Sequence, residues 1–364
     1  MAVMCVSLGR KHFSSLRSAQ WLFAIGCMQG LRVLHSHLGR NAEWSRLVDG
    51  LIPNLFDPTT GGPISGREDE WRMASDYRVE IAEVARDWAE AERLLETSLA
   101  WAQAQAAAAL AAPPDKLTPV ERNEIRSLAV TTESVGHILR KQGRSECVER
   151  YRQAADLFRR IGASREESVV AFNIGSSYLT ISELRDLDEA ERWFRRTLAQ
   201  TEAHDRLGRA QTTSRLGEVA LRRFLYAQNA RLDEKILTGY LTTACEAYEA
   251  ALALTPSEVI GDLAVDHHQL GIVYQYLGRL DLALEHQHKA IRYREEIGDR
   301  YAAGRTRMAV SATLALSGRL ADAVLYLRAA LRDFAPYGAG AADETQRVED
   351  LIATYEQRMS ERPE

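Results

Sequence analysis

Two stretches of the chain, forty residues apart, carry the same spacing of small and apolar side chains. Leu270, Gly271, Tyr274, Gly278, Ala283 and Ala290 in the first align with Val310, Ser311, Leu314, Gly318, Ala323 and Ala330 in the second. Five of the six positions keep their character, and Leu314 replaces the aromatic Tyr274. A fixed period of this length predicts a row of like units, each packed on its neighbours, in place of one central core.

The frame extends upstream with drift. Gly136, Gly175, Gly217 and Gly271 are separated by 39, 42 and 54 residues. The long interval is the usual period with about 14 additional residues, placed at Arg222–Thr243 and read as lengthened helices joined near Gly239. Gly136 is followed by Leu139, Gly143 and Ala155, Gly175 by Tyr178, Ala190 and Phe194, and Gly217 by Ala244, Tyr248 and Ala251. Degenerate units stand near Gly39, with Trp44 where an alanine is expected, and near Trp88, with Ala91 in the small position. The expected total is five to seven units.

Each mark has a physical reason. A glycine such as Gly271 lets a second helix approach the first closely. Gly278 sits where a helix ends and the backbone must accept positive φ. Ala283 and Ala290 lie two turns apart on one helix face, where small side chains let helices pack tightly. Those six positions resemble the tetratricopeptide repeat, over roughly Gly26–Leu331. The resemblance implies an all-α fold: a right-handed α-solenoid of about five to seven helical hairpins, closed by a C-terminal capping helix.

Residues 1–115 are expected to hold degenerate N-terminal helical repeats, 116–334 the repeat array, and 335–364 a linker and capping helix. Asn54–Asp69 is rich in proline and glycine, predicting an ordered loop in place of helix. Ala111–Pro119 breaks an alanine-rich helix, and Thr118-Pro119 predicts a new start. Phe334–Glu344 ends the last repeat, and Asp343–Met359 is the expected cap, since an end unit has no neighbour to cover its apolar face.

Composition narrows the function. The chain has 364 residues, 46 Lys+Arg against 51 Asp+Glu, and a net charge of −5, which argues against a general nucleic-acid binder. No stretch reaches the ~18 uninterrupted apolar residues of a membrane span. The apolar run Ala2–Leu8 has neither the basic flank nor the cleavage site of a signal peptide, and a cytoplasmic protein is expected. Cys5, Cys27, Cys147 and Cys245 are scattered, without metal-ligand spacing, and read as structural thiols in a reducing compartment. No phosphate loop, HExxH or GxSxG motif occurs. Ser65 in "GGPISG" has the wrong spacing for a nucleophile. His286 and His288 diverge by about 200° around a helix and do not share a metal. His267 falls at a packing position and His268 at a groove position. Trp21, Trp44, Trp71, Trp88, Trp101 and Trp193 read as packing residues, and the Arg192, Arg195, Arg196 run as a solvated face. A non-enzyme with no cofactor and no metal is expected.

The first helices of successive hairpins line the concave surface of such an array. Counting from the Leu-Gly marks, the groove-facing residues are Glu133, His137, Phe172, Asn173, Ser176, Ser214, Arg215 and Glu218. His268, Gln269, Ile272, Tyr276, Arg305 and Met308 complete the set. Amide side chains hold peptide backbone, arginine holds carboxylate, and apolar groups anchor side chains. Asn173 and Arg215 match an Asn and Arg that tetratricopeptide domains use to grip a C-terminal carboxylate. Glu133, His137 and Gln211 depart from that clamp, so the resemblance implies a generic extended-peptide groove; the alternative is a plain polar face, with binding at an edge or the convex surface.

The stretch around Gly39–Leu95 is also similar to C-terminal repeat tails of bacterial signalling and defence proteins, among them nucleotide-switch ATPases and caspase-like proteases. What these resemblances imply is a non-catalytic scaffold binding a protein or peptide partner, such as a protease or ATPase effector of the same system. A peptide-responsive regulator that changes shape on binding a signal peptide is the alternative. Neither nucleic acid nor membrane is an expected partner.

Overall fold

Many of the helices end at a left-handed residue, among them Gly143, Gly162, Gly278, Gly298 and Gly318, while others run out into extended backbone, as at Ala112, Ile181, Thr201 and Thr255. The computed structural model describes residues 27–32 and 41–361. The Ala2–Leu8 run, Cys5, Trp21 and Gly39 lie outside the described residues. The described part is all-α, with one isolated antiparallel bridge, Phe56 to Pro63. The chain divides into two compact units, Met1–Ser177 with Ile181–Leu184, and Tyr178–Thr180 with Arg185–Glu364.

The first unit contains a helical stretch at 27–32, then α1 (Asn41–Asp49), α2 (Ile52–Leu55), α3 (Glu68–Val84), α4 (Trp88–Ala111), α5 (Pro119–Lys141), α6 (Cys147–Arg160) and most of α7 (Ser164–Thr180). Consecutive helices α3/α4, α4/α5 and α5/α6 pack on one another. The loop before α3 is ordered, as expected: the Asp57 carboxylate accepts from the Thr59 and Thr60 amides, and Trp71 Nε1 donates to Gly61 O at 3.0 Å. Trp44 and Trp71 are core residues beside Val48, Leu55 and Tyr77, with the Trp44 ring edge-on to Tyr77. Trp88 and Trp101 are only half-buried. Thr118 starts α5 as predicted; its hydroxyl accepts from the Glu121 amide while the Glu121 carboxylate accepts from the Thr118 amide. Cys147 is buried and donates to Ser177 Oγ.

The second unit runs through α8 (Leu187–Gln200), α9 (Arg206–Asn229), α10 (Glu234–Leu254), α11 (Ile260–Tyr276), α12 (Leu280–Glu296), α13 (Arg300–Leu316), α14 (Leu320–Phe334) and α15 (Ala342–Ser360). Helices α9/α10, α11/α12 and α13/α14 form close hairpins, and each packs on the next. The small-residue frame explains the closeness. Ala244, Ala251, Ala283, Ala290, Ala323 and Ala330 are all fully buried. A Cβ on Gly271 would stand 2.6 Å from Gln287 Cγ and 3.2 Å from the backbone oxygen of Ala283. Gly278 and Gly318 close their helices at φ +73° and +77°, each followed by an arginine amide that reaches back five residues, Arg279 to Tyr274 O and Arg319 to Leu314 O.

The additional residues of the long interval do lengthen a hairpin, but its turn is not at Gly239. Gly239 is an exposed position inside α10. The chain turns at Ala230–Asp233, where Arg231 takes φ +54° and the Asp233 carboxylate caps α10 through the Lys235 amide. Helix α15 lies on α14 and inserts Val348 and Tyr355 into the cluster of Leu327 and Phe334. The rest of its face is mostly polar and exposed, as an end cap requires.

Candidate partner-binding face

The residues to consider lie, in each unit, on the first helices of its hairpins. In the first unit, Glu133 on α5 accepts a hydrogen bond from Asn173 Nδ2 on α7 at 3.0 Å. Burial pushes the Glu133 carboxyl up to about 7; the Asn173 bond opposes this and Glu166 adds to it. His137, one turn further along α5, stands 3.7 Å from the Glu83 carboxylate of α3. Burial, then Arg140 and Lys141, hold its pKa below the ordinary imidazole value. Phe172 is half-buried, and Ser176 is only 5% exposed, so it packs within the unit.

In the second unit, Arg215 Nη1 and Arg222 Nη2 both donate to the Glu218 carboxylate, at 2.7 and 2.8 Å. Two links join α9 to α11: Gln211 Nε2 donates to Asp262 at 2.9 Å, and Ser214 Oγ to Asp266. Asp266 is buried, and its carboxyl is pushed up to about 6, chiefly by that burial. His268 lies two residues on. Burial, then Arg294 and Arg305, pull its pKa down to about 3, so it is neutral at physiological pH, and its Nδ1 has no hydrogen-bond partner among the described residues. Gln269 and Ile272 are half-buried. Tyr276 is exposed, its ring 4.7 Å from that of Phe224. Arg305 is exposed, and Met308 packs against the cluster of Val310 and Leu314. His267 occupies a packing position, as read from the frame: its Nδ1 meets His286 Nδ1 of the partner helix at 2.8 Å.

Within the second unit, Arg215 and Glu218 are thus drawn together. In the first unit Glu133 and Asn173 are joined. The amide of Asn173 and the guanidinium of Arg215 each already have a carboxylate partner, so a ligand on this face competes with internal bonds. Sequence reasoning missed Asp262 and Asp266, which have no motif around them. It also missed a cavity of about 330 Å³ between α3, α4 and α5, whose walls come from residues far apart in the chain. Among the described residues, no group of three or more His, Cys, Asp or Glu is arranged to hold a metal ion, and no helix is long and apolar enough to cross a membrane.

Stacked hairpins with small residues at the helix contacts define an α-helical repeat protein. Residues 262–334, from α11 through α14, match the tetratricopeptide repeat family model. Among curated proteins none matches the chain. The fold is shared with the apo form of RapI, at 13% identity and a TM-score of 0.52, covering 93% of this chain and 85% of that one. It is shared equally with the apo form of the quorum sensor NprR from B. thuringiensis, at 12% identity and a TM-score of 0.52, covering 94% of this chain and 89% of that one.

Proposed function

We propose that the chain is an interaction scaffold that holds an extended segment of a protein or peptide partner on the first-helix faces of its repeats. The observation that carries this reading is the side-chain chemistry there. The first unit carries Glu133 and Asn173 with half-buried Phe172, and the second carries Arg215, Glu218 and Gln269 with half-buried Ile272 and Met308, in each case a mixture suited to peptide backbone, charged groups and apolar anchors. Its finer form makes the chain a docking or sensor arm beside a protease or ATPase effector in bacterial signalling or defence, on the strength of the resemblance in its N-terminal third. The test is native co-purification with crosslinking, repeated on Asn173→Ala plus Arg215→Ala. The double variant is expected to keep its helical circular dichroism and lose partner. A preparation that recovers no partner counts against the scaffold, and a double variant that unfolds returns both residues to the structural frame.

A second reading, a peptide-responsive regulator, is favoured by the fold held in common with a quorum sensor over nearly the whole chain. Small-angle scattering profiles that shift with a cognate peptide support it. Profiles unchanged across a panel of candidate peptides remove it.

A further inference from the structure

The long hairpin of the second unit presents an outer face unlike those beside it. Helix α9 continues to Asn229, twelve residues past Gly217, whereas α11 stops at Tyr276, five past Gly271. The α9/α10 hairpin therefore overruns the next one by about two turns, roughly 10 Å. Every residue from Gln228 through Ile236 is exposed, Leu232 at 45% and Ile236 at 44%. Helix α10 buries Leu241, Ala244, Tyr248 and Ala251. On the opposite side, at spacings of four, three and four, Lys235, Gly239, Thr242 and Glu246 share one exposed face. No charged residue stands between Lys235 and Glu246. The Thr242 and Thr243 hydroxyls donate to the Thr238 and Gly239 carbonyls of their own helix, at 2.9 and 3.0 Å. Those hydroxyls need no outside partner, so the surface from Ile236 to Thr243 offers its methyl groups.

The charges at the two ends of this face are also distinctive. On α8 and α12, charges pair along the helix: Arg192 with Glu189, Arg195 with Glu191, Lys289 with Glu285. On α10 the Lys235 ammonium and the Glu246 carboxylate have neither ion pair nor hydrogen bond among the described residues. They are opposite in sign and lie equally far from the midpoint between Gly239 and Thr242. A second copy of α10, laid antiparallel about a two-fold axis through that midpoint, brings each Lys235 against the Glu246 of the other copy. It also sets Gly239 against Thr242. Nothing lies within 4 Å of where a Cβ on Gly239 would stand, so the two helices can approach closely there. A partner of unrelated sequence requires no such symmetry of charge.

We infer that the chain associates with a second copy of itself through the outer face of α10, as a two-fold dimer held by Ile236, the threonine methyls and two reciprocal Lys235–Glu246 pairs. One helix crossing buries less than a standard interface, so the dimer is reversible, with a Kd on the order of 10–100 μM. The surface lies on a second helix, so it stands whether or not the first-helix faces hold a partner.

The test is sedimentation velocity on the full chain over a concentration series reaching about 1 mM, well above the expected Kd. Monomer should pass to dimer across the series. Lys235→Glu and Glu246→Lys each turn two attractions into two repulsions, and each should weaken the dimer about tenfold or more. Both positions are exposed, so circular dichroism should be unchanged. The two single variants mixed together should associate again, as should the double variant carrying both changes, because opposite charges then face one another. Ile236→Glu should abolish the dimer without rescue by either change. A chain that stays monomeric throughout overturns the inference. So does a dimer indifferent to the single changes, or one that neither the mixture nor the double variant restores.

Discussion

The Nδ1 atoms of His267 and His286 lie 2.8 Å apart, on the two helices of one hairpin. One ring must therefore donate and the other accept, which requires at least one neutral imidazole. Burial, then His286 and Lys289, lower the His267 pKa to about 4; burial and Lys289 lower that of His286. Both groups take up protons more readily unfolded than folded, so the pair's contribution is complete above the ordinary value of 6.5 and is lost as pH falls toward 4. Compared with His267→Phe, the native chain should gain about 1–2 kcal/mol between pH 4 and pH 7, after discount for solvent screening. Denaturant melts at several pH values check this; a difference flat across that range removes the pairing as its cause.

Glu133 should show the opposite sign. Its folded carboxyl is raised above the ordinary 4.5 to about 7, so the folded state holds a proton that the unfolded state releases. Stability of the first unit should fall as pH rises from about 4.5 through 7. Glu133→Gln keeps an oxygen to accept from Asn173 and removes the charge. The variant should exceed the native chain by roughly 1 kcal/mol above pH 7 and approach it at pH 4, as read by chemical denaturation.

Gly271→Ala should destabilise the second unit. Its Cβ meets Gln287, a residue with no exposed surface, and the backbone of Ala283 lies just behind. The helices must move apart, at a cost of about 1–3 kcal/mol. A thermal melt within 0.5 kcal/mol of the native one, roughly the size of a neutral surface change, would show that Gln287 has room to yield.

Gly278 and Gly239 separate two roles of glycine. Gly278 has φ +73° with open space around its Cβ position, so alanine there is strained by backbone alone, by about 1–2 kcal/mol. Gly239 is helical, exposed and unobstructed, so alanine there should stabilise by about 0.5–1 kcal/mol. Paired melts of the two variants should move in opposite directions.

The period of the chain was legible because it records contacts between neighbours in sequence. Ala283 and Ala290 are small since α11 and α13 press on that helix, and each repeat restates the requirement. Helix ends were legible for the same reason, at Gly278, Gly318 and Thr118, where the backbone demand is local. The turn of the long hairpin was not, because Arg231 adopts a left-handed conformation that its identity does not advertise, whereas Gly239 does. On the candidate face, the sequence determined which residues sit on the first helices. Only tertiary structure decided that Asn173 is held by Glu133, that Asp266 is buried under Ser214, and that a cavity opens between α3, α4 and α5. Those outcomes depend on how far each helix is shifted and rotated against the next, quantities set by the summed packing of many side chains and carried by no single spacing in the sequence.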